Sequence, residues 1–388
     1  MRNARLIDPF SQKTHHEVIN LTWIIMLAQI YDTVEYIGEE NYLKKIQEQA
    51  HKLGYSLDNV YYQPIKIHNF RKWKSLNFLL YLFIVGLRDI YYYVNSPKYC
   101  DVYYNNNTYF SLMTLALASI FKKNKLFILC HSELENIHIK WNGYINFIYG
   151  IYIKICFLFI PFGKLFHFIV LGDNMKKYIS SIISTNNTKR FYSIDHPYIR
   201  VQASIPNSMI DESNHIIKFG IISLIKEGRG LNNLNTLLSY KIPETIKLFP
   251  ISKISGFYND PYQIINKTLN PNNELLPSET YLSNIQLMDY ILMLYDTNGY
   301  KLTASGSILE AIWNEKPIIA LSNEYFKYLF EKYGEMGVLC DSVEELHSSI
   351  ISINDNPHKQ IWVKNMQKTK SLLLPQNNIK TLINIINS

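Results

Sequence analysis

Cysteine is scarce in this chain, and what there is has no useful spacing. Cys100, Cys130, Cys156 and Cys340 are the only four among 388 residues, with no C-x-x-C pair and no Cys/His ligand pattern. That excludes a disulfide framework and a zinc site, and it reads as four small buried hydrophobes in a reducing compartment. Histidine is thin too: of 11, only His15 and His16 adjoin, and no H-E-x-x-H occurs, so no metal is expected. Charged residues make up 18% against 47% hydrophobic, which excludes a disordered chain or a nucleic-acid-binding tail. Long apolar runs are missing as well. Ser75–Leu87 ends at Arg88-Asp89, and the stretch from Trp141 to Gly172 is broken by Lys154, Pro161 and Lys164. Neither reaches the ~18 residues of a spanning helix, so both read as core helices or as helices lying in a membrane interface. The first residues hold no apolar h-region, so no secretory signal is expected and the protein is placed in the cytoplasm.

The length is ample for two domains, each with its own core. Charge separates the halves: residues 1–210 hold 23 Lys+Arg against 14 Asp+Glu, whereas residues 211–388 hold 16 against 18. The basic excess clusters at Arg71-Lys-Trp-Lys74, Lys122-Lys-Asn-Lys125, Lys176-Lys177 and Lys189-Arg190, among apolar aromatic runs. Such a surface suits an anionic membrane leaflet; equally, these are solvated loop ends.

Short apolar runs alternate with helical patterns. Strands are expected at Ala4–Asp8, Thr33–Ile37, Val60–Gln63, Val102–Tyr104, Leu126–Cys130, Phe168–Leu171 and Arg190–Ile194. Helices fall between them, at about Thr14–Ile30, Glu40–Leu53, Lys74–Val94, Thr108–Phe121, Asn142–Phe159 and Asn174–Ile183. Past a polar stretch at 205–214 the alternation restarts, with strands at Ile216–Ser223, Thr245–Phe249, Tyr290–Leu294 and Pro317–Leu321. The pattern predicts an α/β protein of two Rossmann-like, doubly wound domains, 1–210 and 211–388, facing across a cleft. The last helix is expected to pack back on the first domain.

The most informative segment is Tyr300–Leu321, a small-residue turn, a helix and a buried strand. Ser305, Gly306 and Ser307 open the helix, so free backbone N–H groups and the positive dipole end can receive a phosphate. Glu310, about a turn further on, can accept hydrogen bonds from neutral hydroxyls, as on a ribose. An ordinary capped helix leading into a strand has the same local pattern. In the turn Ser223–Gly230, Lys226 and Arg229 are placed to neutralise a diphosphate, or are solvated turn residues; Tyr300 and Thr303 are further candidates for phosphate or sugar contact.

The run Ala304-Ser-Gly-Ser-Ile-Leu-Glu-Ala-Ile, followed by Lys316-Pro-Ile-Ile-Ala, resembles the nucleotide-sugar-binding segment of two-domain glycosyltransferases of the GT-B fold, particularly bacterial enzymes of capsule, O-antigen or exopolysaccharide synthesis. Arg5-Leu-Ile-Asp-Pro-Phe with His15-His-Glu, Lys125–Glu135, Ile169-Val-Leu-Gly172, Asp195-His-Pro-Tyr198 and Phe219-Gly-Ile-Ile-Ser223 are similar to that group in type and order, and Arg229-Gly230 matches its basic-Gly pair. The resemblance implies transfer of a hexose-type sugar from a nucleotide diphosphate to a lipid-linked oligosaccharide, at the inner leaflet of the membrane and without nucleic acid as a partner. In many retaining members a Glu stands eight positions before the one matched by Glu310; here that place is Leu302, a departure from their mechanism. No D-x-D occurs, so helix dipole and cations are expected to do the work of a divalent ion, and no cofactor is implied.

An inverting transfer needs a base on the acceptor side. The first domain offers His16 or Glu17 after its first strand, and His131 at a later strand end; Thr14 with Glu17 fits a capping box instead. A sugar-nucleotide epimerase of the same fold and a non-catalytic membrane-surface assembly factor are the competing readings.

Overall fold

The structure, a computed structural model, describes residues 2–12, 16–66, 75–105, 109–137, 144–202, 216–355 and 358–388. Expectations resting on Thr14, His15, the Arg71–Lys74 cluster and the 205–214 stretch with its domain boundary lie outside the described residues. The chain divides into two compact units. The first comprises Met1–Val201, Leu302–Ala304 and Leu373–Ser388; the second comprises Gln202–Lys301 and Ser305–Leu372.

In the first unit strands and helices alternate: β1 (Asn3–Ile7), α1 (Glu17–Ile30), β2 (Thr33–Glu39), α2 (Glu40–Lys52), β3 (Val60–Ile65), α3 (Ser75–Val94), β4 (Cys100–Tyr104), α4 (Tyr109–Phe121), β5 (Leu126–Cys130), α5 (Tyr144–Phe159), β6 (Phe166–Val170), α6 (Asp173–Ile182), α7 (Thr185–Thr188) and β7 (Phe191–Ser193). Every strand pairing is parallel, in the order β3-β2-β1-β4-β5-β6-β7. The strand sequences explain this. Leu126-Phe-Ile-Leu-Cys130 and Phe166-His-Phe-Ile-Val170 are buried at every position with no polar alternation, as befits strands covered by helices on both faces. Helix α1 is buried from Ile19 to Leu27 on all sides, so it needs cover beyond the sheet.

The second unit continues with β8 (Ile217–Ile221), α8 (Leu231–Leu238), β9 (Ile246–Pro250), α9 (Ser278–Gln286), β10 (Tyr290–Met293), α10 (Gly306–Trp313), β11 (Ile318–Leu321), α11 (Glu324–Tyr333), β12 (Gly337–Cys340), α12 (Val343–Ile351) and α13 (Lys359–Leu372). Its sheet is parallel too, ordered β12-β11-β10-β8-β9, around a core that includes Phe219, Leu234, Leu248, Leu292, Ile319 and Trp362. Asn323 and Ser342 cap α11 and α12 through their side chains. The last helix, α14 (Pro375–Asn387), starts on a proline at its first turn and belongs to the first unit, where it packs on α1. The chain is thus an α/β protein of two parallel-sheet domains. All four cysteines are buried and outside any disulfide.

In sheets of this kind a ligand binds beyond the carboxyl ends of the strands where the winding reverses direction. That point lies between β1 and β4 in the first unit and between β8 and β10 in the second.

Candidate active site

At the reversal point of the second unit three segments meet. The first is the turn after β8. Lys226 and Arg229 exchange backbone hydrogen bonds (Arg229 N to Lys226 O, 2.8 Å; Lys226 N to Arg229 O, 3.2 Å), which folds the turn tightly. Gly230 ends it with φ of 82°, and a Cβ there would stand 2.5 Å from the Leu294 carbonyl at the end of β10. Both the left-handed backbone and the close approach require glycine. The turn thereby presses Arg229 against the loop after β10: its guanidinium carbon lies 5.4 Å from the centre of the Tyr295 ring, and Nη2 reaches the Tyr295 hydroxyl at 3.5 Å. Lys226 is exposed to solvent at the rim.

The second segment is the loop from Leu294 to Tyr300. Tyr295 is buried and donates to the Ser307 hydroxyl at 3.0 Å. Burial pushes its phenol up, but the Arg229 charge and the hydrogen bonds of Ser307 and Arg229 outweigh that and hold it below its ordinary value. Arg229 responds in kind: burial pushes it down, and Tyr295 and Tyr300 more than restore it, so it stays charged. Tyr300 sits in the left-handed region at φ 62° and packs 4.7 Å from Tyr295, with Phe326 of α11 6.3 Å further round.

The third segment is the start of α10. Ser305 is the N-cap, with an extended backbone and no capping hydrogen bond from its side chain. Its hydroxyl is buried and finds no hydrogen-bond partner among the described residues, and the same holds for Asn323 Nδ2 at the neighbouring strand end. Gly306 is exposed, and a Cβ built on it would meet no atom within 4 Å. The helix therefore offers uncapped N–H groups to solvent beside a half-buried cation, the requirement for binding an anion. Glu310 follows on the same helix and is buried, 8% exposed. Arg229, Tyr300, Ser305, Gly306, Ser307 and Glu310 are thus within one unit and on the loops and helix that surround one strand-end position. Thr303 is placed elsewhere: it clusters with the first unit, where its hydroxyl and the Leu302 N–H donate to the Glu135 carboxylate at 3.0 and 2.6 Å.

In the first unit, the strand ends bring His16 and His131 together. Their rings meet edge to face, 4.9 Å between centres. His16 precedes α1 with φ of 54°, a left-handed backbone that costs a side-chain-bearing residue on the order of 1 kcal/mol or more. His131 follows β5; its own N–H donates to the Glu133 carboxylate at 2.7 Å, and its carbonyl accepts from Ala304 at 3.3 Å. Glu17 is differently engaged. It is 6% exposed, paired with Lys45 at 2.5 Å and bonded by Gln49 Nε2 at 2.6 Å, both from α2. A carboxylate so committed fixes α1 to α2. His167 and His196 are poor bases, since burial lowers each to about 4.

Between β1 and β4 the reversal point is filled by the protein itself. Asp8 accepts from the Ser11 N–H at 3.0 Å and from Asn20 Nδ2, which also donates to the Ser11 and Tyr42 hydroxyls at 3.1 and 2.8 Å. Asn105, at the end of β4, closes the group by donating to Asn20 Oδ1 at 3.0 Å. Burial raises the Asp8 carboxyl to about 6, against the pull of its bonds from Ser11 and Phe10.

Two features of the site are not among those the sequence reading singles out. Tyr295 is the hub of the second unit's site, but with 30 tyrosines in the chain its type says nothing. Asn323 follows a buried strand and opens a helix, a cap signature that could have placed it at a strand end. Among the described residues no group of three or more His, Cys, Asp or Glu is arranged to hold a metal ion.

No protein-family model matches the sequence, and no curated protein matches it. Solved structures do. HepE from Anabaena, solved in complex with UDP and glucose, has a TM-score of 0.64 at 15% identity, covering 100% of both chains. UGT89C1 of Arabidopsis thaliana, complexed with UDP-L-rhamnose, has a TM-score of 0.54 at 14% identity over 99% of this chain and 98% of that one. The N-terminal domain of a Candida albicans trehalose-6-phosphate phosphatase reaches 0.59 at 12% identity over 100% and 96%. At such identities the likeness establishes the fold: this chain has the two-domain α/β architecture of the GT-B glycosyltransferases.

Proposed function

We propose that the protein is a glycosyltransferase that moves a hexose-type sugar from a nucleoside diphosphate, with uridine diphosphate as the first candidate, to a lipid-linked oligosaccharide during surface-polysaccharide assembly at the inner leaflet of the membrane. The observation that carries this reading is the uncapped start of α10 beside half-buried Arg229. Two such features in one place recognise a diphosphate without a metal. The half-buried Tyr300 ring, backed by the buried Tyr295 and Phe326 rings, adds a stacking surface for a base or sugar, and Glu310 supplies an acceptor for ribose hydroxyls. Solved relatives in fold carry UDP and UDP-L-rhamnose, which favours the same ligand class here.

In the inverting reaction this arrangement supports, the acceptor hydroxyl oxygen attacks the sugar C1 and its proton passes to a histidine. The bond from C1 to the phosphate oxygen breaks, and its electron pair leaves with the diphosphate, stabilised by Arg229 and the helix start. His16 is the preferred base, with His131 beside it. Glu17, paired with Lys45, is the alternative base.

A panel of nucleotide sugars screened by thermal shift tests this directly, since a ligand that binds only the folded state raises its melting temperature. A UDP-sugar is expected to stabilise the wild type, and Arg229→Ala to weaken its binding by roughly 10- to 100-fold, the loss of one charge-assisted contact. No shift from any nucleotide sugar would refute the reading.

A further inference from the structure

A helix packed on a sheet needs a single apolar stripe, facing the strands. Helix α3 has two. Val85, Asp89 and Tyr93, four residues apart, are buried along one side, while Leu80, Phe83, Ile84, Leu87 and Tyr91 recur with helical spacing along the other and are each at least half exposed. The two following helices repeat this. On α4, Leu112, Leu115 and Ala116 are buried, and Leu117, Ile120 and Phe121 face out, Phe121 86% exposed. On α5, Ile153 and Cys156 are buried, and Ile155, Leu158 and Phe159 face out, Phe159 74% exposed. Because α4 packs against both α3 and α5, the three outer stripes adjoin. Contiguous exposed apolar surface of this extent marks a contact with something else.

The charges around the patch say what. The three helices contain a single carboxylate, Asp89, which is fully buried. Of their cations, Arg88 on α3 is half-buried and donates to the Pro9 carbonyl at 2.9 Å, while Lys154 on α5 is exposed, as are Lys123 just beyond Phe121 and Lys164 past the end of α5. Apolar stripes rimmed by lysine with no exposed acid complement a layer of anionic headgroups over hydrocarbon. A second copy of this chain, related by a two-fold axis, would instead set the same lysines against each other. No helix among the described residues is long and apolar enough to cross a membrane, so the contact is in the plane of the surface.

We infer that the outer face of the α3–α4–α5 layer is a docking surface for an anionic bilayer, its stripes entering the acyl boundary and its lysines meeting the headgroups. This deepens the reading of a lipid-linked acceptor, for which it names the membrane-facing side. Sedimentation with phosphatidylcholine vesicles containing about a third phosphatidylglycerol, without any sugar nucleotide, is the test. The wild type is expected to bind these vesicles, to bind pure phosphatidylcholine much less, and to be released by high salt. The double variant Phe121→Glu/Phe159→Glu, at exposed positions that fold does not depend on, should lose at least about 100-fold in partitioning, as two aromatic anchors would predict. Its nucleotide binding should stay unchanged. No binding by the wild type, equal binding by the variant, or a solution dimer dispersed by the same substitutions in a protein that ignores vesicles would each overturn the docking surface. Vesicle binding by a protein that binds no nucleotide sugar would overturn only the donor reading.

Discussion

The two sheets place their reversal points in the same way and fill them oppositely. Between β1 and β4 the position is plugged by the protein's own polar groups, with Asp8, Ser11, Asn20, Tyr42 and Asn105 bonded to one another and sealed from solvent. Between β8 and β10 the corresponding groups turn outward: an uncapped helix, a buried hydroxyl on Ser305 and a guanidinium held by Tyr295. One fold rule thus yields a packed scaffold in the first unit and a ligand-ready surface in the second. The difference is chemical. The first unit joins most of its strand-end polar groups to one another, with Asn105 Oδ1 the plug atom left unpartnered among the described residues, and the second leaves the Ser305 hydroxyl and Asn323 Nδ2 to a partner.

If the first unit's role is to hold a base rather than to bind the donor, the largest effect belongs to His16. Its replacement by alanine should lower kcat by roughly 10²- to 10⁴-fold in a sugar-transfer assay. Calorimetric titration of the nucleotide should remain unaltered, because the donor residues belong to the second unit. A matched loss of nucleotide affinity would break the separation drawn between the two strand-end positions. A smaller effect probes the plug. Asp8 has a carboxyl raised from 3.8 to about 6 by burial. A group raised in the folded state favours the protonated form there, so its contribution is full below about pH 4 and is lost as pH rises through about 6. Relative to Asp8→Asn, which cannot ionise, the wild type should therefore lose on the order of 3 kcal/mol of unfolding free energy between pH 4 and pH 8 by denaturant titration. A constant difference across that range would mean that Asp8 is not sealed as described.

Much of the architecture was legible because buried strands leave a local trace. Leu126–Cys130 shows up as an unbroken apolar run and forms β5 with those bounds, and the helix over Glu40–Lys52 was expected to within a residue. Strand β12 was not anticipated: Gly337-Val-Leu-Cys340 is four residues long and opens on glycine, too brief for any period to register. The Ser305–Ser307 turn was legible for the reason that its chemistry is local. The polar plug was not, because Asp8, Asn20, Tyr42 and Asn105 come from β1's end, α1, α2 and β4's end, and only the fold assembles them. Glu17 illustrates the same limit. Sequence offers it as a base or a capping residue, and its ion-pair partner, Lys45, is on another helix.

The central claim is that the open start of α10 receives the diphosphate, and Gly306 tests it most directly. A Cβ there meets no atom within 4 Å and the position is exposed, so Gly306→Leu should fold with a melting temperature close to wild type. Titrated by calorimetry with UDP, the variant should bind at least about tenfold more weakly than the wild type, because the added side chain takes the volume through which phosphate reaches the helix N–H groups. Equal affinity in the two proteins would contradict the account.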